Sequence, residues 1–134
     1  MSFADSLKAV EGRLQSNWTT TPIKFQNVPL KETASSYVAL FLQDGEGAQI
    51  SLGQVALRRW PGVILVQVFV PERTGTLVAH QYADTIGAIF DRVQFSSGNS
   101  GVISCRTPSV ETIGLRDGWW QVNVTIPYRR NRQY

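Results

Sequence analysis

The chain has 134 residues, 43% hydrophobic and 17% charged, with a formal net charge of +3. That length supports one self-sufficient core and is too short for two. One cysteine, Cys105, and one histidine, His80, exclude intrachain disulfides, cysteine-based metal centres and multi-histidine zinc sites. No run reaches the ~18 apolar residues of a membrane-spanning helix. The opening Met1-Ser2-Phe3-Ala4-Asp5 carries an acid where a signal peptide carries a base. The expectation is a soluble domain made in the cytosol, without cofactor and without membrane contact. Soluble chains are typically about 25% charged, so the low charge favours a surface partly covered in an assembly.

Phe3, Leu7, Val10 and Leu14 recur at helical spacing and predict an amphipathic helix over Phe3 to Ser16, capped by Ser2 with Asp5 in its first turn. Asn17 and Thr19-Thr20-Thr21-Pro22 end it. Ile23 to Phe25 reads as a short strand and Tyr37 to Gln43 as a longer one, separated by Pro29 and a polar stretch from Lys31 to Ser36. Asp44-Gly45-Glu46-Gly47 reads as a turn or flexible loop. Gln49 to Leu52 and Leu57 to Trp60 read as strand pieces, and Val63 to Val70 as the strongest strand, closed by Pro71. A second helix, capped by Thr74 or Thr76, places Leu77, Ala83, Ile86, Phe90 and Val93 on one face. Gln94 to Gly101 reads as a loop, and Val102 to Arg106 and Ser109 to Ile113 as strands. Asp117-Gly118 is a hairpin turn signal before a final strand from Trp119 to Ile126. The order gives an α+β fold: a mostly antiparallel, mixed sheet with two helices packed on one face. Residues 1–128 form the domain, and 129–134, with Arg129, Arg130 and Arg132, read as a flexible basic tail.

Strand side chains alternate between faces. Trp120, Val122, Val124 and Ile126 form one set, with Ile64 to Val70 and Val38 to Leu42 supplying matching sets. Tyr37, Phe41, Leu65, Phe69 and Trp119 fall on the other side. Two helices of this length cannot cover both sides. The second face is covered either by the chain's own strands from Gln49 to Trp60, folded across it, or by a neighbouring subunit.

No catalytic constellation is readable. His80 has no nucleophile or ligand set in sequence near it, and Cys105 sits in a core-like pattern. The acids flanking Gly45 and Gly47 oppose phosphate binding. Asp84 and Asp91 are two helical turns apart, about 10 Å, as on a solvated face. Arg58-Arg59-Trp60 and Tyr128-Arg129-Arg130-Asn131-Arg132 are short basic segments with aromatics, the only features leaning toward nucleic acid.

Several segments, taken in order, carry a resemblance: Asn27-Val28-Pro29, Leu52-Gly53, Arg58-Arg59-Trp60-Pro61-Gly62, Val70-Pro71, Thr74-Gly75-Thr76, Asp117-Gly118-Trp119-Trp120 and Val124-Thr125-Ile126-Pro127-Tyr128-Arg129. Together they resemble the small tail terminators of long-tailed bacteriophages, over nearly the whole chain. The resemblance implies a non-enzymatic virion protein without cofactor, located at the head-proximal end of the tail and assembled in the host cytoplasm. It implies a homo-oligomeric ring, a hexamer, that caps the tail tube protein and presents a surface to the head-completion or connector protein, with DNA only passing through the lumen. Other connector or tail-completion proteins, and a small nucleic-acid-binding domain, are the alternatives. The expected self-assembly contact is Leu57, Arg58, Arg59 and Trp60. The expected partner-docking residues are Asp44, Gly45, Glu46 and Gly47, with the loop from Gln94 to Gly101, and the basic residues Arg129, Arg130 and Arg132. That basic end either meets an acidic partner away from the lumen or simply solubilises the chain.

Overall fold

The computed structural model describes residues 3–25, 36–44, 48–49, 57–71, 76–96, 102–116 and 118–133. Two helices, α1 (Phe3–Asn17) and α2 (Thr76–Phe90), accompany eight strands. These are β1 (Ile23–Lys24), β2 (Tyr37–Asp44), β3 (Ala48–Gln49), β4 (Leu57–Pro71), β5 (Gln94–Ser96), β6 (Val102–Cys105), β7 (Ser109–Arg116) and β8 (Trp119–Gln133). Asp5 lies in the first turn of α1, where the helix dipole favours an acid. The Asn17 side-chain amide donates to the Arg13 carbonyl at 2.8 Å, closing the last turn. Trp18 is buried beyond it, and its indole N–H donates to Thr21 Oγ1 at 2.9 Å.

The sheet is organised around an antiparallel pair. β4 and β8 match residue for residue from Leu57↔Gln133 to Pro71↔Trp119. β2 and β3 lie on the free side of β4, and β7 and β6 on the free side of β8. β1 joins β2 in parallel and β5 joins β6 antiparallel. The fold is α+β, with a mostly antiparallel sheet, as the element order implies.

Register places Val38, Val68 and Val122 in one row, Leu40, Val66 and Val124 in the next, and Leu42, Ile64 and Ile126 in a third. These residues form the inner face, where Val10 and Leu14 of α1 and Ala79, Ala83, Ile86 and Phe90 of α2 pack fully buried. Leu77, expected on that helix face, is 68% exposed. It precedes Ala79 by two residues, and the resulting rotation of about 200° turns it outward.

Further expectations are corrected. Leu57 to Trp60 and Val63 to Val70, read as separate strands, are one, because β4 runs straight through Pro61-Gly62. β2 ends opposite Gly62 and β3 begins opposite Arg59, so Trp60 and Pro61 have no partner strand on that side among the described residues. A proline, with no N–H to donate, is tolerated there. Gly62 is required because a Cβ there would lie 2.5 Å from the ring of Tyr128, its cross-strand partner. Leu57 to Trp60 therefore continues β4 in the plane of the sheet and does not fold across its second face; residues 50–56 lie outside the described ones. β2 and β3 run the same way along β4; Asp44 ends β2, and the rest of the turn or loop expected at Asp44 to Gly47 lies outside the described residues. Residues 94–96, expected as loop, pair with β6 as strand β5, and 97–101 lie outside the described residues.

The last correction concerns the basic end. β8 extends to Gln133, so 129–133 are strand and not a flexible tail. Arg130 is 1% exposed on the inner face. Its guanidinium lies 4.7 Å from the ring centroid of Trp60, directly opposite in register, and donates through Nη1 to Ser6 Oγ at 2.8 Å. The alternation that buries Val122 to Tyr128 simply continues, and a cation–π contact with a hydrogen bond lets an arginine occupy the next inner position.

Two outcomes follow for urea unfolding. Gly62→Ala lowers stability by about 1–3 kcal/mol, since the buried Tyr128 ring must yield. Trp60→Ala lowers it by about 3–5 kcal/mol, as a core truncation. Midpoints unchanged from wild type would contradict the packing at this end of the ribbon.

Candidate functional site

The outer face of the sheet carries the feature that fits a function. Tyr37, Phe69, Gln121 and Gly114 form one cross-strand row; Ala39, Gln67, Asn123 and Glu111 form the next; Phe41, Leu65, Thr125 and Ser109 form a third. Tyr37 stacks on Phe69 with ring centroids 4.8 Å apart and meets Trp119 edge-to-face at 5.2 Å. Gln121 donates to Asn123 Oδ1 at 2.9 Å, so part of the polar remainder is internally satisfied. Tyr37, Phe41, Leu65, Phe69 and Trp119 are all half-buried. Burial by its ring neighbours pushes the Tyr37 phenol above its ordinary value. The core beneath the helices lies wholly on the inner face, and among the described residues no helix packs over this aromatic group.

The anticipated contact residues divide. Leu57, Arg58 and Arg59 lie in β4 opposite Gln133, Arg132 and Asn131, with Arg58 and Arg59 also paired to β3; their side chains are outside the described set. Trp60 is buried within the subunit and is not an exposed interface anchor. Asp44 ends β2, while Gly45, Glu46 and Gly47 lie outside the described residues. Arg129 is half-buried opposite Pro61, Arg130 is committed to the core, and Arg132 is placed only as strand backbone. The two basic segments, distant in sequence, thus meet at one end of the β4–β8 pair. The Trp60–Arg130–Ser6 contact was not read from sequence; continuing the β8 alternation past Ile126 is the signal that points to it.

The reactive groups are dispersed. His80 Nε2 sits 3.4 Å from Thr112 Oγ1 at the flank of α2. Cys105 is buried, and this pushes its thiol up to about 11, with the Arg13 charge acting weakly the other way. No group of three potential metal ligands occurs among the described residues, and no helix there is long and apolar enough to cross a membrane.

A family profile described as phage tail terminator protein matches residues 7–128. The chain belongs to the phage tail terminator family. This is a family of structural proteins, and it places the chain in the phage tail as a virion component. The profile spans α1 through Tyr128 and so includes the whole aromatic outer face. One solved chain shares the fold, with a TM-score of 0.76 over 99% of both chains at 23% identity. No curated protein matches the sequence.

Cys105, opposite the buried Tyr128, supplies a test of the packing on the inner face. With its thiol at about 11 against an ordinary 9.0, alkylation by iodoacetamide at pH 8 runs roughly 100-fold slower than for a free thiol. The folded value exceeds the unfolded one, so this group's contribution to stability is complete below pH 9 and lost as pH rises through 11. Rapid labelling of the folded protein at pH 8 would contradict the burial.

Proposed function

We propose that the chain assembles as a closed homo-oligomeric ring, a hexamer by family likeness, that ends the tail tube and forms the surface on which the head is joined. The observation that carries this reading is the half-buried aromatic outer face of the sheet, over which no helix packs among the described residues, in a structural tail protein. A half-buried group of Tyr37, Phe69 and Trp119, with Phe41 and Leu65 beside it, is the kind of surface that contacts with neighbouring proteins bury. The partners are other copies of the chain, the tube protein on one side and a head-completion or connector protein on the other. DNA passes through the lumen without being held. Assembly takes place in the host cytoplasm and the product stays at the head-proximal end of the tail. Gly45 to Gly47, with Asp44, and Arg129 and Arg132 remain proposed docking residues; Arg130 does not.

A second reading, nucleic-acid binding, is favoured by the meeting of Arg58 and Arg59 with Arg129 and Arg132 at one end of the ribbon. It predicts DNA affinity that falls steeply with salt.

The test is complementation of a phage lacking its tail terminator, scored by electron microscopy. The wild-type chain restores tails of uniform length carrying heads. Phe41→Asp, with circular dichroism unchanged, weakens the assembly contacts by about 30-fold, as loss of an apolar anchor of ~2 kcal/mol would, and leaves tails overlong or headless. Full complementation by Phe41→Asp would remove the outer face from the proposal.

A further inference from the structure

Among the described residues the sheet has edge strands β1 and β3 on one side and β5 and β7 on the other, and the chemistry of β1 and β7 matches. β7 is an eight-residue edge strand whose pairing among the described residues is with β8 alone. Natural sheets blunt such edges with charged residues, lysine above all, with proline, with bulges or with short length. β7 carries Glu111, Arg116 and a bulge between Thr112 and Gly114 but neither lysine nor proline, and it still exposes Val110 and Leu115 on its inner side. Leu77 of α2 adds to the same flank. It lies three residues before His80, on the side of the helix that reaches Thr112 of β7. On the opposite side, β1 pairs among the described residues with β2 alone, over two residues.

Charge distinguishes the two edges. On the outer face Lys24 lies opposite Ala39, Ala39 opposite Gln67, Gln67 opposite Asn123, and Asn123 opposite Glu111. One cross-strand row therefore runs the width of the sheet, with an exposed lysine at its β1 end and an exposed glutamate at its β7 end. The adjoining inner-face row runs from Ile23 through Val38, Val68 and Val122 to Thr112. Strand direction is compatible as well. β1 runs with β2, and successive antiparallel pairings through β4, β8 and β7 leave β7 running opposite to β1. A copy set beside another in the same orientation meets it antiparallel.

We propose that the occupant of the β7 edge is a second copy of this chain, joined through its β1 edge, with Glu111 of one copy paired to Lys24 of the next. Val110, Leu115 and Leu77 are covered on the inner side of the same joint. The contact is heterologous, so each copy offers one edge and receives the other, and copies related by a rotation that divides the full turn without rise close a ring. This rests on the self-assembly reading above and names the surface that reading leaves open. The aromatic outer faces then form one continuous wall, leaving Tyr37, Phe69 and Trp119 for other tail proteins.

The experiment compares wild type, Lys24→Glu, Glu111→Lys and the double reversal by sedimentation equilibrium at low salt. Both positions are exposed, and circular dichroism checks that each variant folds. Each single reversal weakens association roughly tenfold per contact by setting like charges together, and the double reversal restores it to within about threefold. Added salt narrows the gap between wild type and the single variants. Val110→Asp, which does not depend on the ion pair, also weakens association. Single variants that assemble like wild type, or a double reversal no better than either single, overturn the joint while self-assembly stands. A wild-type chain that stays monomeric throughout overturns the self-assembly reading, and the joint with it.

Discussion

Everything in this fold hangs on the antiparallel pairing of β4 with β8, fifteen residues matched without a slip. The pairing fixes which side chains face the helices, because a shift of one residue would turn every inner valine outward. It also makes the sheet longer than one set of flanking strands can cover, so two sets attach at different heights on each side. Trp60 and Arg130 secure the far end. Cation over ring, with a hydrogen bond onto Ser6, they join the last inner row of the ribbon to the first turns of α1.

That ribbon has a consequence for function. Both helices are spent on the inner face, where the alternating aliphatic residues of β2, β4 and β8 meet them. The outer face keeps aromatic groups half in water, and the edge strand β7 exposes Val110 and Leu115. A structural phage tail protein has use for such surfaces. The Arg130 correction also changes the electrostatics: an arginine expected in a mobile basic tail is a core residue, so the chain offers less loose positive charge than its sequence suggests.

Local patterns made much of this legible. The helical stripe of Val10 and Leu14 and the period-two alternation of Trp120 to Ile126 each carry their signal in a short window. The two-helix, one-face arrangement follows from element order, and the aromatic outer group from alternation alone. What was not legible depended on distant partners. Pro61-Gly62 looks like a break by local rules, and only the gap between β2 and β3 with the approach of Tyr128 makes it a strand interior. Arg129 to Arg132 looks like a tail because charged residues hide the alternation, and Trp60, which stabilises Arg130, is 70 positions away. The row from Lys24 to Glu111 requires four strand registers at once.

The central claim is that the chain is a unit of a closed assembly. Light scattering of the purified chain from micromolar to millimolar concentration tests it most directly. A closed ring gives a mass that plateaus at one integer multiple of 14.9 kDa. A mass that stays at 14.9 kDa throughout, or climbs without limit, contradicts it.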